Sequence, residues 1–128
     1  MKKIIIIISF FTFTYFIISC KKDVAAGTTN SDFIAAADCT GATPTYTKNI
    51  KLIFDTKCAT SGCHSEVKAA HGLNLSTYET SKSQFNVHQF LCSINQVGTC
   101  SKMPNNGTKL PDADIKSITC WAKNGFTL

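Results

Sequence analysis

The sequence predicts a small, mainly α-helical domain with a loop-rich middle, preceded by a signal peptide and a flexible tether. Three observations carry that expectation. Apolar residues recur at helical spacing over 46–56 and again after Pro111. From His64 to Asn74 the chain has Gly- and Ala-rich stretches and no strong period, the mark of loop. No run of alternating apolar residues is long enough to argue for a sheet.

The first element is a targeting segment. Met1-Lys2-Lys3 is a basic start, and residues 4–18 form an apolar run that also carries Ser9, Thr12 and Thr14. That run is shorter than the roughly 20 apolar residues a membrane span needs and has the make-up of a secretory signal. Ile17-Ile18-Ser19-Cys20 resembles a bacterial lipobox, with an aliphatic residue three before the cysteine and a small one directly before it. Residues 1–19 are therefore expected to be cleaved as a signal peptide and Cys20 to be acylated. Several acyl chains on one residue anchor stably where a single chain does not. Lys21, not Asp, follows the cysteine, which by the same resemblance sends such a lipoprotein to the outer membrane of a Gram-negative bacterium.

Removing residues 1–19 from the 128 leaves 109, enough for one domain. All 13 basic residues are lysines; eleven survive cleavage against eight acids, a charge of +3. So mild and scattered a charge argues against nucleic acid as a partner. Residues 20–38, rich in Ala, Thr, Gly, Ser and Asn, are expected to be the lipidated cysteine and a flexible linker. Such a linker has a root-mean-square span of roughly 23 Å, and Phe33 to Ala37, which could form a short helical turn, is read as part of it.

The folded domain is expected over 39–128. Thr45 or Thr47 can cap a first helix over 46–56, with Ile50, Ile53 and Phe54 on one buried face. Ser76 can cap a short helix over 77–83, with Glu79 three residues on as the capping-box partner. A third helix is expected over 88–94, where Phe90, Leu91 and Ile94 share a face. Pro111, Asp112 and Asp114 open the last helix; Ile115, Ile118, Trp121 and Ala122 follow at helical spacing and Gly125 stops it.

The chemistry concentrates in Cys58-Ala59-Thr60-Ser61-Gly62-Cys63-His64. A Cys-x-x-Cys-His run is read as covalent c-type haem attachment, the thiols bonding the vinyl groups and the imidazole ligating iron. Here four residues separate the cysteines, while Cys63 and His64 stay adjacent. The second iron ligand has three candidates: Met103, His71 and His88. Met103 is favoured, because it stands on a polar loop where Pro104 biases it towards extended backbone and Asn105-Asn106-Gly107 supplies a turn. Methionine normally fills apolar gaps, so packing does not account for it there.

These residues together resemble class I cytochrome c domains, in particular the small monohaem domains of bacterial envelope lipoproteins. The resemblance runs over residues 39–128. It rests on the helix, Cys58 to His64, the loop-rich middle, Met103-Pro104 and the last helix from Leu110-Pro111-Asp112-Ala113-Asp114-Ile115 to Trp121. Tyr46-Thr47-Lys48-Asn49-Ile50 before the haem motif, and Leu73-Asn74-Leu75 with Tyr78 after it, match as well. The resemblance implies a cytochrome c-like fold in which the first and last helices pack beside the haem, placing Ile50, Phe54, Ile118 and Trp121 in the core. It implies single-electron transfer through haem c, with Cys58 and Cys63 as thioethers and His64 and Met103 as axial iron ligands. A redox partner protein of unstated identity and the membrane, through the lipid anchor, complete the expected partners. With both axial positions filled, electron transfer is expected rather than enzymatic turnover.

Four cysteines remain once Cys20, Cys58 and Cys63 are assigned: Cys39, Cys92, Cys100 and Cys120, which allow three pairings. Cys92 with Cys100 and Cys39 with Cys120 is the expected one, since the first limits the Met103 loop and the second pins the domain's start to its last helix. Two other readings use the same residues. In one, Cys58 and Cys63 bridge each other in a disulfide-stabilised structural or binding lipoprotein without haem, which leaves His64 and Met103 unexplained. In the other, Cys58, Cys63 and His64 bind zinc, but adjacent Cys63 and His64 side chains diverge and no second ligand pair stands at finger spacing.

Overall fold

The computed structural model describes residues 29–87 and 89–128. The expected signal peptide, Cys20, the first part of the linker and His88 lie outside the described residues. Among those described there is no strand, and the mainly helical class holds. No helix there is long and apolar enough to cross a membrane.

The chain runs through α1 (Asn30–Ala36), a π-helical turn (Tyr46–Ile50) that continues into α2 (Lys51–Lys57), then α3 (Tyr78–Phe85), α4 (Phe90–Asn95) and α5 (Asp112–Lys123). A single 3₁₀ turn, Ala70–Gly72, lies in the loop-rich middle. Thr45, not Thr47, caps the first helical stretch, its hydroxyl accepting from the Lys48 N–H. The third helix starts at Phe90, later than its expected beginning. The capping box of α3 sits one residue past the expected one: Thr77 and Thr80 form it in place of Ser76 and Glu79. Two threonines three apart exchange the same pair of bonds as Ser and Glu do, so a strict sequence pattern passes over them.

The linker expected over 20–38 needs correction from residue 29 onward. Asn30–Ala36 is a helix packed on α4 and α5, opened by a capping box between Thr29 and Asp32. Asn30 is buried and acts as a peg: its side-chain amide donates to Phe85 O at 2.7 Å, and its carbonyl accepts the Leu91 N–H at 2.9 Å. At the other end Lys123 Nζ donates to Ala37 O at 2.7 Å, closing the C-terminus of α1. The segment looks like linker in composition because these three long-range hydrogen bonds, together with half-buried Phe33 and Ile34, secure it rather than a long apolar stripe.

The core is aromatic and centred on α5. Trp121, Phe54, Phe85, Ile50, Leu91 and Ile118 are inaccessible to solvent. Trp121 meets Phe126 with ring centroids 4.9 Å apart and also contacts Tyr46, Phe54, Tyr78 and Phe85. α5 ends in a Schellman arrangement, with Phe126 N–H donating to Trp121 O and Gly125 N–H to Ala122 O. Gly125 has φ +79°, which glycine adopts without strain. That turn folds the tail back, so Thr127 O accepts from both Trp121 Nε1 at 2.8 Å and Tyr46 N at 2.9 Å.

Two disulfides complete the frame, Cys39–Cys120 and Cys92–Cys100, with Cα separations of 5.5 and 5.9 Å. This is the expected pairing. Alkylation of the denatured, unreduced chain is expected to leave all four unmodified; finding free thiols there disproves the pairing. The bridges span 81 and 8 residues. Serine at both Cys39 and Cys120 is therefore expected to lower unfolding free energy by about 4.5 kcal/mol, and at Cys92 and Cys100 by about 2.5 kcal/mol, in denaturant melts.

Candidate functional site

Cys58 is the residue at which α2 ends: its N–H still donates to Phe54 O at 2.9 Å, and the Ala59 N–H reaches the same carbonyl at 2.7 Å. The chain then turns back on itself. Cys63 N–H donates to Thr60 O at 3.0 Å, a four-residue turn in which Gly62 takes φ +90° at the third position. The His64 N–H donates to Cys58 O at 3.0 Å and closes the loop. The four spacer residues are thus taken up within a compact loop rather than spread along the chain.

His64 is buried at 8% exposure, and its Nδ1 lies 3.1 Å from Leu73 O. A carbonyl only accepts, so Nδ1 carries the proton and Nε2 is the nitrogen with the lone pair. The Leu75 N–H donates to His64 O at 2.8 Å, so the Leu73-Asn74-Leu75 strip holds the histidine by both ring and backbone. Nothing in the sequence marks Leu73 for this role beyond its place nine residues on, since the bond uses only backbone.

Met103 reaches the same cavity from the loop that follows α4. Its N–H donates to Ser93 O at 3.1 Å, its carbonyl accepts from Gln96 Nε2 at 3.2 Å, and its side chain packs half-buried against the core. The Met103-Pro104 peptide bond is cis.

One cavity of about 910 Å³ brings these residues together: Cys58, Cys63, His64 and Met103 all line it. Its apolar wall comes from Leu73, Leu75, Phe90, Ile94 and Leu110, all buried. The volume lies at the upper end of the roughly 300–1,000 Å³ of small-molecule and cofactor sites. His71 also lines the cavity, from an exposed turn where its φ is +54°. Ile50, Phe54, Ile118 and Trp121 are in the core as expected, but behind the cavity wall; Phe90 is the aromatic residue that lines it. Lys57 and Lys102, which sequence reasoning did not single out, lie along the lining, and among the described residues no carboxylate does.

Cys58 and Cys63 are unbridged, the first half-buried and the second exposed. Burial pushes the Cys58 thiol up to about 12, and the Cys63 and Asp114 charges add to this. Cys58 is therefore a neutral thiol at any physiological pH. Among the described residues no group of three or more His, Cys, Asp or Glu side chains is placed to hold a metal ion, so the zinc reading gains no support. Comparison with known proteins finds no matching family model, and neither a curated protein nor a solved structure matches the chain.

The thiol difference is directly measurable. In chain expressed without haem, a thiol reagent at pH 8 is expected to label exposed Cys63 well before Cys58, of which about one in ten thousand is ionised. Equal labelling rates, followed by peptide mass analysis, would show that Cys58 is not held in an apolar setting.

Proposed function

We propose that this chain is a membrane-anchored c-type cytochrome domain that transfers single electrons through a covalently bound haem. One observation carries the reading: two thiols, an imidazole and a thioether, drawn from distant parts of the chain, line a single cavity. Of the six described cysteines three line that cavity; Cys100 is bridged to Cys92, and Cys58 and Cys63 are the ones left unbridged.

The residues fit the group. Cys58 and Cys63 supply the two sulfurs for covalent attachment, and His64 and Met103 supply a nitrogen and a sulfur for iron. Leu73, Leu75, Phe90, Ile94 and Leu110 exclude water from the porphyrin, and Lys57 and Lys102 set positive charge on the same lining for its carboxylates. When bound, haem supplies a one-electron couple. The bond from His64 Nδ1 to Leu73 O fixes the tautomer and ring orientation that a ligating histidine needs. Thioether ligation by Met103 favours the reduced form relative to two imidazoles, and the apolar wall acts in the same direction. With His64 and Met103 each offering a ligand, haem bound here would keep no position open for oxygen or peroxide. Electron transfer follows, and substrate turnover does not. In this reading Cys20 bears the lipid that holds the domain at the outer membrane.

The other reading, a disulfide-stabilised binding lipoprotein without haem, draws on the two disulfides, which secure the fold whatever fills the cavity. It expects Cys58 and Cys63 to bridge each other, whereas both are unbridged, and it gives His64 and Met103 no task.

Protein expressed in an envelope with a haem-attachment system is expected to gain the mass of one haem and to give a reduced-minus-oxidised c-type spectrum. Met103→Ala should lose the methionine–iron absorption band completely while keeping the covalent mass. Cys58→Ala together with Cys63→Ala should lose the covalent mass. No haem in wild type would return the haem-free reading to first place, and an unchanged band in Met103→Ala would remove Met103 as ligand. Separately, Cys20→Ala is expected to move nearly all the protein from the membrane to the soluble fraction on fractionation, a shift independent of haem.

A further inference from the structure

The loop that carries Met103 is gripped from the C-terminal end of α4. The Gln96 side-chain amide donates to Met103 O at 3.2 Å and to Gly107 O at 3.4 Å, so one NH₂ group ties the first residue of the loop to its last. Gln96 ends α4 in the left-handed conformation, φ +56°, a region that few non-glycine residues enter. Its own N–H is held by the Cys92 and Ser93 carbonyls. Ser93 O also accepts the Met103 N–H, and the Cys92–Cys100 bridge closes the intervening chain. Within the loop, Gly107 N–H donates to Pro104 O at 3.1 Å, and a Cβ at 107 would come within 3.0 Å of Pro104 Cβ. The loop is therefore a tight unit fastened at two points, the Ser93 carbonyl and the Gln96 amide. The first lies in α4 and the second caps it, and α4 also supplies Phe90 and Ile94 to the cavity wall.

We propose that Gln96 is a positioning residue for Met103, its two N–H bonds keeping the methionine presented to the cavity; this rests on the haem reading above. Both partners are carbonyl oxygens, so only a donor at the end of this side chain serves. Shape alone does not.

Full-length wild type, Gln96→Glu, Gln96→Met and Gln96→Lys, purified from the same haem-attaching envelope, test this by amide hydrogen exchange and absorption. Glu keeps the shape but sets an acceptor against two carbonyls, Met keeps the length without donors, and Lys restores donors. In the Glu and Met variants the Met103 and Gly107 amides are expected to exchange about tenfold faster, with the Trp121 amide unchanged. The methionine–iron band, normalised to covalent haem, is expected to fall at least twofold, and Lys is expected to restore both. Unchanged exchange in the Glu and Met variants overturns the proposal. So does faster exchange with a full band, which makes Gln96 a structural tie only, and so does failure of Lys to restore either. A wild type without covalent haem brings down the haem reading and this proposal together; a wild type with haem and band, matched by every variant, brings down this proposal alone.

Discussion

The burial of Trp121 is the constraint on which the rest of the domain depends. Its ring contacts come from the π-helical turn (Tyr46), α2 (Phe54), α3 (Tyr78 and Phe85) and the tail (Phe126), and Phe54 and Phe85 pass the contact on to Phe90 of α4. Each such aromatic pair contributes about 0.5–1.5 kcal/mol beyond its buried area. The indole N–H is satisfied by Thr127 O, so the centre of the core leaves no polar atom of the tryptophan unmet. A domain of this size with a cavity of about 910 Å³ has little interior to spare. Its cohesion therefore comes from the far side of the cavity wall, and the residues that line the cavity are held in place without having to fill it. Cys58 illustrates this: it stands four residues after Phe54 on the same helical turn, so packing of Phe54 against Trp121 also sets where the thiol lies.

The parts legible in the sequence are those written in apolar period. α5 announced itself through Ile115, Ile118, Trp121 and Ala122, and all four are buried. The first helical stretch was likewise visible through Ile50 and Phe54. What the period did not convey was that Tyr46–Ile50 winds as a π-turn, with Ile50 N–H reaching back to Thr45 O, because one residue more per turn leaves a five-residue pattern unchanged in kind. α1 was missed for a different reason. Its anchoring is carried by Asn30, Cys39 and Lys123, whose partners stand more than 50 residues away in the chain. Composition describes local preference, and a long-range peg overrides it.

The site divides the same way. Cys58, Cys63, His64 and Met103 could be chosen from sequence because side-chain chemistry distinguishes them: two thiols and an imidazole in seven residues, and a methionine where no apolar face asks for one. The supports of those residues could not. Leu73 holds His64 through its carbonyl and Ser93 holds Met103 through its carbonyl, and every residue type has one. Gln96 uses its side chain, but its place at a left-handed helix end follows from how α4 terminates, and glutamine carries no preference for that conformation.

The wide cysteine spacing takes its meaning from this support. If reach to the first thiol were set by the spacer alone, two added residues would displace Cys58 from His64 by several ångströms of chain. The loop instead spends them in the Thr60–Cys63 turn, where Gly62 takes the positive φ, and the bond from His64 N–H to Cys58 O restores closeness across the gap. Cys58 is set independently, as the end of α2 bonded to Phe54 O, and His64 is set independently by Leu73 and Leu75. The spacer therefore connects two points that the fold has already placed. Under that constraint what matters is a turn that closes between them, and Gly62 is the residue in the spacer that lets it do so.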